Sequence, residues 1–203
     1  MRCLPMEFTE FPKIARLSRR AIISEKIDGT NATVAISETG EFFVGSRDRW
    51  ITPEDDNYGF AKWAYEHKED LMKLGPGKHV GEWWGEKIQR AYGLKERRFS
   101  LFNNVRWCLP GTTPRRIEML DPRIEKYQEV LQATCCGLVP VLYDGIFSTE
   151  KVDECLESLR VNGSVAAPGF TRPEGVVVFH VAGSVGFKKT LEKDEPKGKI
   201  NKG

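Results

Sequence analysis

The first quarter of the chain alternates short apolar segments with turn residues. Three segments are rich in β-branched and aromatic residues, and the pairs Asp28-Gly29 and Thr39-Gly40 separate them. Such segments between tight-turn pairs are typical of neighbouring strands. We therefore predict an antiparallel meander whose strands are residues 21–27, 31–37 and 41–46.

The next apolar pattern has the period of a helix. Apolar positions recur at helical spacing over residues 57–74, and the segment Gly75-Pro76-Gly77 follows directly. This pattern predicts one amphipathic helix that ends before the glycine. Its buried face is predicted to carry Phe60, Trp63, Ala64, His67, Leu71 and Leu74.

The second half of the chain combines further strands with two helices. One helix is predicted at about 122–134 and another at about 149–162, with Ser148 or Thr149 as N-cap, Gly163 at its end and a buried face of Val152, Cys155, Leu156 and Leu159. Strands are predicted at residues 78–84, 98–107, 138–143, 175–181 and 184–189. Strands in hairpin order with helices between them predict an α+β fold with mainly antiparallel sheets and flanking helices.

The composition is that of a folded domain. Hydrophobic residues make up 40% and charged residues 30% of the 203 residues, which excludes disordered and fibrous chains. No repeat or linker divides the sequence, so we expect a single domain over residues 1–203 with an irregular start (1–18) and a charged tail (190–203). No apolar run reaches the roughly 18 residues of a membrane span, and acid and proline come too early for a signal peptide, so we expect a cytoplasmic protein without membrane contact.

Cysteine and histidine indicate neither a disulfide framework nor a zinc site. The five cysteines form no Cys-x-x-Cys pair, and an odd number suits reduced thiols. The three histidines have no metal-ligand spacing, so we expect them at the surface or in packing roles.

Positive charge is concentrated in one part of the sequence. The formal net charge is only +2, whereas residues 87–126 hold 10 Lys and Arg against 4 Asp and Glu, with aromatic residues among them. This region is typical of a surface that faces a polyanion. The alternative is a solvated face with core aromatic residues beneath it, and on charge alone the two readings have equal weight.

A lysine lies at the end of the first predicted strand, directly before a tight turn. In Lys26-Ile27-Asp28-Gly29 the strand can hold the lysine stem, and Asp-Gly lets the backbone approach a ligand closely. The pattern alone is weak evidence, because it arises by chance in roughly one such chain in forty. A hairpin turn with a surface lysine is the alternative.

Five further segments follow in a fixed order: residues 45–49 (GSRDR), 80–85 (VGEWWG), 98–103 (RFSLFN), 173–178 (PEGVVV) and 187–189 (FKK). With the lysine segment they resemble the motifs of the covalent nucleotidyltransferase superfamily of polynucleotide ligases and mRNA capping enzymes. They are most similar to the ATP-dependent RNA ligase family, including its phage-type members. The resemblance covers six short motifs between about residues 24 and 195. It implies a nucleotidyltransferase (adenylation) domain of the ATP-grasp-like ligase type.

The resemblance also implies a three-step reaction. A lysine, here Lys26, attacks the α-phosphate of ATP and gives lysyl-AMP and pyrophosphate. AMP then moves to an RNA 5′-phosphate, and an RNA 3′-hydroxyl displaces AMP. A free lysine has a pKa near 10.4, so roughly one in a thousand is neutral near pH 7.4, and neighbouring cations must favour the neutral amine before it can attack.

Two basic residues and two glutamates are implied to serve this reaction, with Mg²⁺ or Mn²⁺ as cofactor. Lys188 matches the lysine that stabilises the α-phosphate, although adjacent Lys189 is an alternative because the family motif is often Lys-x-Lys. Glu174 matches a residue near the metal and the reacting phosphate. Glu82 matches a ribose ligand, and its carboxylate is a second candidate for the metal. Each residue considered alone is more often a surface charge.

The remaining implied contacts concern the nucleotide and the RNA end. Phe102 matches the residue that stacks on adenine, while Phe99 is expected to pack inward. Asn103 stands where the family commonly has Asp, so we expect metal affinity or the later steps to differ. Arg47 matches a residue that contacts the ribose and the RNA end, and Asp28 one near the incoming 5′-phosphate, unless Asp28 only forms the turn. Nucleotide contacts are also implied for Glu25, Ile27 and Asn31.

These motifs leave alternatives open. We expect no appended C-terminal domain, because too few residues follow Lys188 to build one, and we expect a monomer acting in RNA repair. The pocket motifs do not report the acceptor, so a DNA ligase or another covalent nucleotidyltransferase is the first alternative. A non-catalytic module that binds nucleotide or RNA is the second, and the Asn103 substitution favours it.

Overall fold

Two β-sheets and a small set of helices make up the computed structural model, which describes residues 10–11, 13–107 and 131–192. The strands are β1 (Arg20–Lys26), β2 (Thr30–Ile36), β3 (Phe42–Gly45), β4 (Gly77–Gly85), β5 (Arg97–Leu101), β6 (Gly137–Leu138), β7 (Val141–Ile146), β8 (Gly175–His180) and β9 (Val185–Thr190). The helices are α1 (Phe60–Glu66), α2 (Lys68–Leu71), a 3-10 helix (Met72–Leu74), α3 (Asn104–Trp107) and α4 (Thr149–Asn162).

The strands form a five-stranded sheet, in the order β3-β2-β4-β5-β6, and a four-stranded sheet, in the order β7-β1-β8-β9. Among the described strands the neighbours are antiparallel except β5 and β6, which are parallel. One core lies between the five-stranded sheet and α1 and α2, and a second lies between the four-stranded sheet and α4. This arrangement confirms the predicted α+β class with mainly antiparallel sheets.

The predicted meander of three strands is wrong, because β1 belongs to the other sheet. β2 and β3 pair as predicted, but β1 lies between β7 and β8. Residues 21–24 of β1 are all at most 9% exposed, so both faces of the strand are covered, as in a central strand. Residues 27–29 therefore carry the chain from one sheet to the other instead of forming a hairpin.

The predicted helix over residues 57–74 is divided. α1 starts at Phe60, where Asp56 accepts the N–H groups of Ala61 and Lys62, and it ends at His67. His67 has φ −107° and ψ 18°, outside the helical region, so α2 and the 3-10 helix follow as separate turns. Apolar residues continue at helical spacing beyond His67, because α2 and the 3-10 helix pack on the same core as α1.

Two predicted strands also have different limits. The strand predicted over 98–107 ends at Leu101, because Asn103 Oδ1 accepts the N–H of Arg106 and so caps α3. The strand predicted over 138–143 is divided at Pro140 into β6 and β7, which belong to different sheets. Proline removes a ladder donor, so a strand does not continue through it in a sheet interior.

The helix predicted at 149–162 is confirmed with its end signals. Ser148 Oγ accepts the N–H of Lys151, and Gly163 ends the helix with φ +80°. The strands predicted at 78–84, 175–181 and 184–189 are confirmed within one residue at each end. Some predictions fall outside the described residues: residues 122–130 of the other predicted helix, residues 108–126 of the basic region and the tail beyond Glu192.

None of the helices in the described ranges has the length and apolar character that crossing a bilayer requires.

Candidate active site

The crossing between the two sheets is made by Lys26, Ile27, Asp28 and Gly29, which we call the 26–29 crossing. Lys26 is the last residue of β1, and Ile27 is 3% exposed in an apolar cluster with Trp84 and Tyr92. A Cβ on Gly29 would lie 2.4 Å from the carbonyl oxygen of Trp83, so a residue with a side chain does not fit. The crossing therefore packs directly against β4.

Two hydrogen bonds to the backbone hold the same crossing. The N–H of Asp28 donates to Tyr92 Oη at 2.8 Å, and the N–H of Gly29 donates to Glu82 Oε1 at 3.0 Å. Tyr92 comes from the connection between β4 and β5, and Glu82 from β4 itself. Burial raises the pKa of the Tyr92 hydroxyl, so it stays protonated.

The ammonium of Lys26 forms an ion pair with Glu174. Lys26 Nζ lies 2.6 Å from Glu174 Oε2, and the two side chains are 22% and 18% exposed. Glu174 directly precedes β8, whose first residue, Gly175, lies opposite Lys26. The structure thus brings the predicted nucleophile and the predicted metal ligand together in a half-buried position.

Strand alternation puts Lys188 on the same face of the sheet as Lys26. Ser24 and Lys26 share one face of β1, because they are two residues apart. Ser24 lies opposite Val177 of β8, and Val177 lies opposite Lys188 of β9. Lys188 makes no ion pair with any of the described residues, so its charge is available to a ligand.

Lys189 belongs to the opposite face of the same sheet. It lies opposite Val176, which is fully buried in the core against α4. Its Nζ lies 2.6 Å from Asp153 Oδ1 on α4. The register therefore separates two lysines that are adjacent in the sequence.

Glu82 faces the crossing from β4 and is only 8% exposed. Its Oε1 accepts from Gly29, and its Oε2 accepts from Asn31 Nδ2 at 3.3 Å, its register partner on β2. Burial raises the pKa of Glu82 to about 7, against the effects of Lys26 and the Gly29 N–H, and the nearby carboxylates Glu174 and Asp28 raise it further. Glu82 is thus a buried carboxyl close to Lys26.

Phe102 lies on the Glu82 face of the five-stranded sheet. Its N–H donates to the carbonyl of Val80 at 2.9 Å, which continues the ladder by one residue and preserves the alternation. The ring is 41% exposed, whereas Phe99 on the other face is 1% exposed, as predicted. An exposed aromatic ring beside buried polar groups suits a planar base.

Three other predicted site residues have different surroundings. Glu25 is 1% exposed, and its carboxylate accepts from Ser164 Oγ at 2.5 Å and from two backbone N–H groups at 2.8 Å on the α4 side of β1. Burial raises its pKa, and these hydrogen bonds oppose the rise. The side chains of Glu25 and Ile27 are therefore turned inward, and only their backbone groups remain for a ligand. Arg47 lies in an exposed bend after β3 and makes no hydrogen bond or ion pair with the described residues.

Two residues of the site, Arg90 and Tyr92, belong to none of the six sequence motifs. Arg90 Nε donates to Asp28 Oδ2 at 3.0 Å, so both residues contact the crossing from the same connection. No local pattern identifies them, and the only signal was their membership of the basic region. Asn103, which departs from the family motif, has its Oδ1 engaged in capping α3, a role that an aspartate also fills.

Comparison with known proteins identifies a matching family and solved structures of similar fold. A family model described as RNA ligase matches residues 19–191. An apo mutant of a Naegleria gruberi RNA ligase is 20% identical, with a TM-score of 0.56 over 85% of this chain and 50% of that one. A mutant of a Naegleria gruberi RNA ligase with AMP and Mn is 20% identical, with a TM-score of 0.55 over 86% and 50%. A mutant with ATP and Mn is 19% identical, with a TM-score of 0.53 over 85% and 50%.

These likenesses support the fold, and the family model supports the family. The chain spans about half the length of the solved structures that it matches. No curated protein matches it. Because the family model covers most of the sequence, including all six motifs, the chain belongs to the RNA ligase family.

Proposed function

We propose that this chain is an ATP-dependent RNA ligase that becomes adenylylated at Lys26. The observation that carries the proposal is the position of the Lys26 ammonium, which lies 2.6 Å from Glu174 at the point where the chain crosses between sheets. Glu82 and Phe102 share one face of the neighbouring sheet, and Lys188 shares the face of Lys26. These groups support the nucleotidyltransferase (adenylation) unit of the ATP-grasp-like ligase type that the sequence implies.

In the proposed first step, Lys26 Nζ forms a bond to the α-phosphorus of ATP while the bond to the leaving pyrophosphate breaks. The ammonium must first give a proton to solvent water, because it has no lone pair with which to attack. Glu174 Oε2 accepts a hydrogen bond from that ammonium and fixes its direction. The AMP group then passes from Nζ to an RNA 5′-phosphate, and an RNA 3′-hydroxyl attacks that phosphate and releases AMP.

Glu174 is the better of the two glutamates for a divalent metal. Its Oε2 binds Lys26, and no described residue engages its Oε1. Both oxygens of Glu82 already accept protein N–H groups. Mg²⁺ commonly takes one or two carboxylates and completes its shell with water and substrate phosphates, so a single carboxylate fits. When bound, Mg²⁺ or Mn²⁺ would neutralise phosphate charge and favour the neutral amine.

The other side chains have proposed roles toward ATP and RNA. Glu82 and Asn31 would bind the ribose hydroxyls, and Phe102 would stack on adenine for roughly 1 to 3 kcal/mol. Lys188 would stabilise the α-phosphate. Arg47 would contact the RNA 5′-phosphate end. Asp28 is already paired with Arg90, so its approach to RNA would need that pair to open.

Several features of the proposal concern the whole protein. RNA with 5′-phosphate and 3′-hydroxyl ends is the proposed substrate, and a monomeric, cytoplasmic protein stays a prediction from the sequence. A role in RNA repair stays a prediction as well.

The proposal is tested by covalent labelling. Purified protein is incubated with Mg²⁺ and ATP labelled at the α-phosphate, and the chain is expected to acquire an acid-labile label with the mass of one AMP. Lys26→Ala is expected to abolish the label, whereas Lys62→Ala, which removes an exposed lysine of α1, is expected to retain it. A folded wild-type chain without label, or a labelled Lys26→Ala variant, would contradict the proposal.

The acceptor is tested separately with nicked RNA, nicked DNA and hybrid duplexes that carry a 5′-phosphate at the nick. Sealing of RNA ends is the expected result. Sealing of DNA alone would make the chain a DNA ligase, and tight ATP binding without pyrophosphate release would make it a binding module.

A further inference from the structure

Arg90 connects three parts of the site that are distant in the sequence. Its Nε donates to Asp28 Oδ2 at 3.0 Å in the 26–29 crossing. Its Nη1 donates to the carbonyl of Arg172 at 2.9 Å, just before Glu174. Its two terminal nitrogens donate to Glu192, each at 3.1 Å, just after β9. One side chain thus joins the 26–29 crossing to both ends of the β8–β9 hairpin, which carries Lys188.

The loop that presents Arg90 has an unusual backbone. The non-glycine residues Lys87, Gln89, Ala91 and Tyr92 all have φ between +45° and +58°. L-residues adopt this left-handed region only when the surrounding structure holds them there. Tyr92 is anchored in the apolar cluster with Trp84 and by its bond to Asp28, and Arg90 is anchored by the contacts above. The loop therefore keeps this conformation through its contacts with the crossing, and not through the intrinsic backbone preferences of its residues.

The guanidinium shape is needed for this set of contacts. Arginine offers five donors in a planar fork, whereas lysine offers three donors at a single point. The Arg90 side chain is 22% exposed and Asp28 is 28% exposed, so their pair is partly shielded from water. Glu192 is 58% exposed, and its pair with Arg90 is the more solvated of the two.

We infer that Arg90 is a positioning residue for lysine adenylylation, an inference that rests on the proposed function. By joining Asp28 to the ends of the β8–β9 hairpin, Arg90 keeps the amine of Lys26 against Glu174, on the sheet face that carries Lys188. It acts through Asp28, the Arg172 carbonyl and the Glu192 carboxylate, and it does not itself touch ATP. Loss of Arg90 should therefore slow the chemical step more than it weakens ATP binding.

The test compares Arg90→Ala and Arg90→Lys with a matched control. Arg160→Ala removes an arginine that also pairs with a glutamate, Glu157, but on the exposed surface of α4. The rate of lysyl-AMP formation is measured over a range of ATP concentrations, with thermal unfolding recorded for each variant. Arg90→Ala is expected to lower the rate at saturating ATP by about 10- to 100-fold, since small displacements of a reacting group have effects of this size.

Further readouts separate positioning from a purely structural role. The KM for ATP is expected to change by less than about threefold in Arg90→Ala. Methylguanidinium is expected to restore part of the rate in Arg90→Ala and to leave Arg160→Ala unchanged. Arg90→Lys keeps the charge and most of the volume, so it tests the inference even where Arg90→Ala unfolds, and it is expected to remain several-fold slower than wild type.

Two results would overturn the inference. One is a wild-type rate of labelling in both Arg90 variants, and the other is a raised KM with an unchanged rate at saturating ATP, which would make Arg90 an ATP ligand. Absence of label in the wild type would instead contradict the proposed function itself.

Discussion

Lys26 Nζ lies 2.6 Å from Glu174 Oε2, although 148 positions separate the two residues in the sequence. The pairing of β1 with β8 produces this contact, because Lys26 lies opposite Gly175 and Glu174 is the next residue back along the chain. The carboxylate accepts a hydrogen bond from the ammonium and orients it. The proposed adenylylation of Lys26 therefore requires the loss or redirection of this ion pair.

Replacement of Glu174 by glutamine tests the metal role that is proposed for its carboxylate. We expect Glu174→Gln to lower lysyl-AMP formation by about 100-fold or more, since it removes the proposed metal ligand. Single-turnover labelling with ATP labelled at the α-phosphate measures this rate. Glu154→Gln, which breaks the surface pair with Lys151, is the control, and equal labelling of both variants would contradict the assignment.

The two adjacent lysines of β9 should differ in function. Lys188→Ala is expected to reduce labelling from ATP by about 100-fold, because Lys188 shares the face of Lys26. Lys189→Ala is expected to change it by less than about threefold, because Lys189 pairs with Asp153 on α4. Single-turnover labelling measures both variants. The reverse order of effects would show that the register-based assignment is incorrect.

The buried carboxyl of Glu82 should make stability depend on pH. Its pKa of about 7 lies above the ordinary value of 4.5, so between these values the folded chain binds a proton that the unfolded chain has lost. The free energy of unfolding should therefore fall as pH rises through this window, by up to about 3 kcal/mol. In Glu82→Gln this fall in the free energy of unfolding should disappear. Urea unfolding at pH 5 and pH 8 measures it, and an identical pH dependence in both proteins would exclude the effect.

The glycine of the crossing should tolerate no side chain. A Cβ at Gly29 would lie 2.4 Å from the carbonyl oxygen of Trp83 and 2.8 Å from the Cβ of Trp84. Gly29→Ala is expected to lower the free energy of unfolding by about 1 to 3 kcal/mol and to displace Lys26 enough to reduce labelling. Thermal unfolding and labelling are measured together. Gly186→Ala is the control, because a Cβ there meets nothing within 4 Å, and equal effects at both positions would argue against close packing at the crossing.

Local patterns were sufficient where local contacts decide the structure. α4 was predicted with its cap and its end, because Ser148 and Gly163 act within one turn of the helix. β4, β8 and β9 were predicted within one residue at each end. The division of the helix predicted over 57–74 was missed, because apolar spacing alone does not reveal the backbone change at His67. α1, α2 and the 3-10 helix pack on one core, so their apolar residues have the spacing of a single long helix.

The candidate site followed from motif order more than from any single residue. Lys26, Glu82, Phe102 and Glu174 were recognised as an ordered set, and the structure brings Lys26 and Glu174 into contact. Arg90 was missed because its partners lie 62 and 102 positions away, beyond the reach of any local pattern. The side-chain direction of Glu25 was missed for the same kind of reason, since Ser164 and the N–H groups of Val165 and Ala166 meet it from another part of the chain.

The amino-acid sequence alone determined the family, the order of the candidate site motifs and the elements whose hydrogen bonds are local. Only the tertiary structure decided that β1 pairs with β8 rather than β2, and hence that Lys26 meets Glu174. It also decided that Lys188, and not Lys189, shares the face of Lys26. The physical reason is that strand register depends on partners far along the chain, and a shift of one residue turns every side chain to the opposite face.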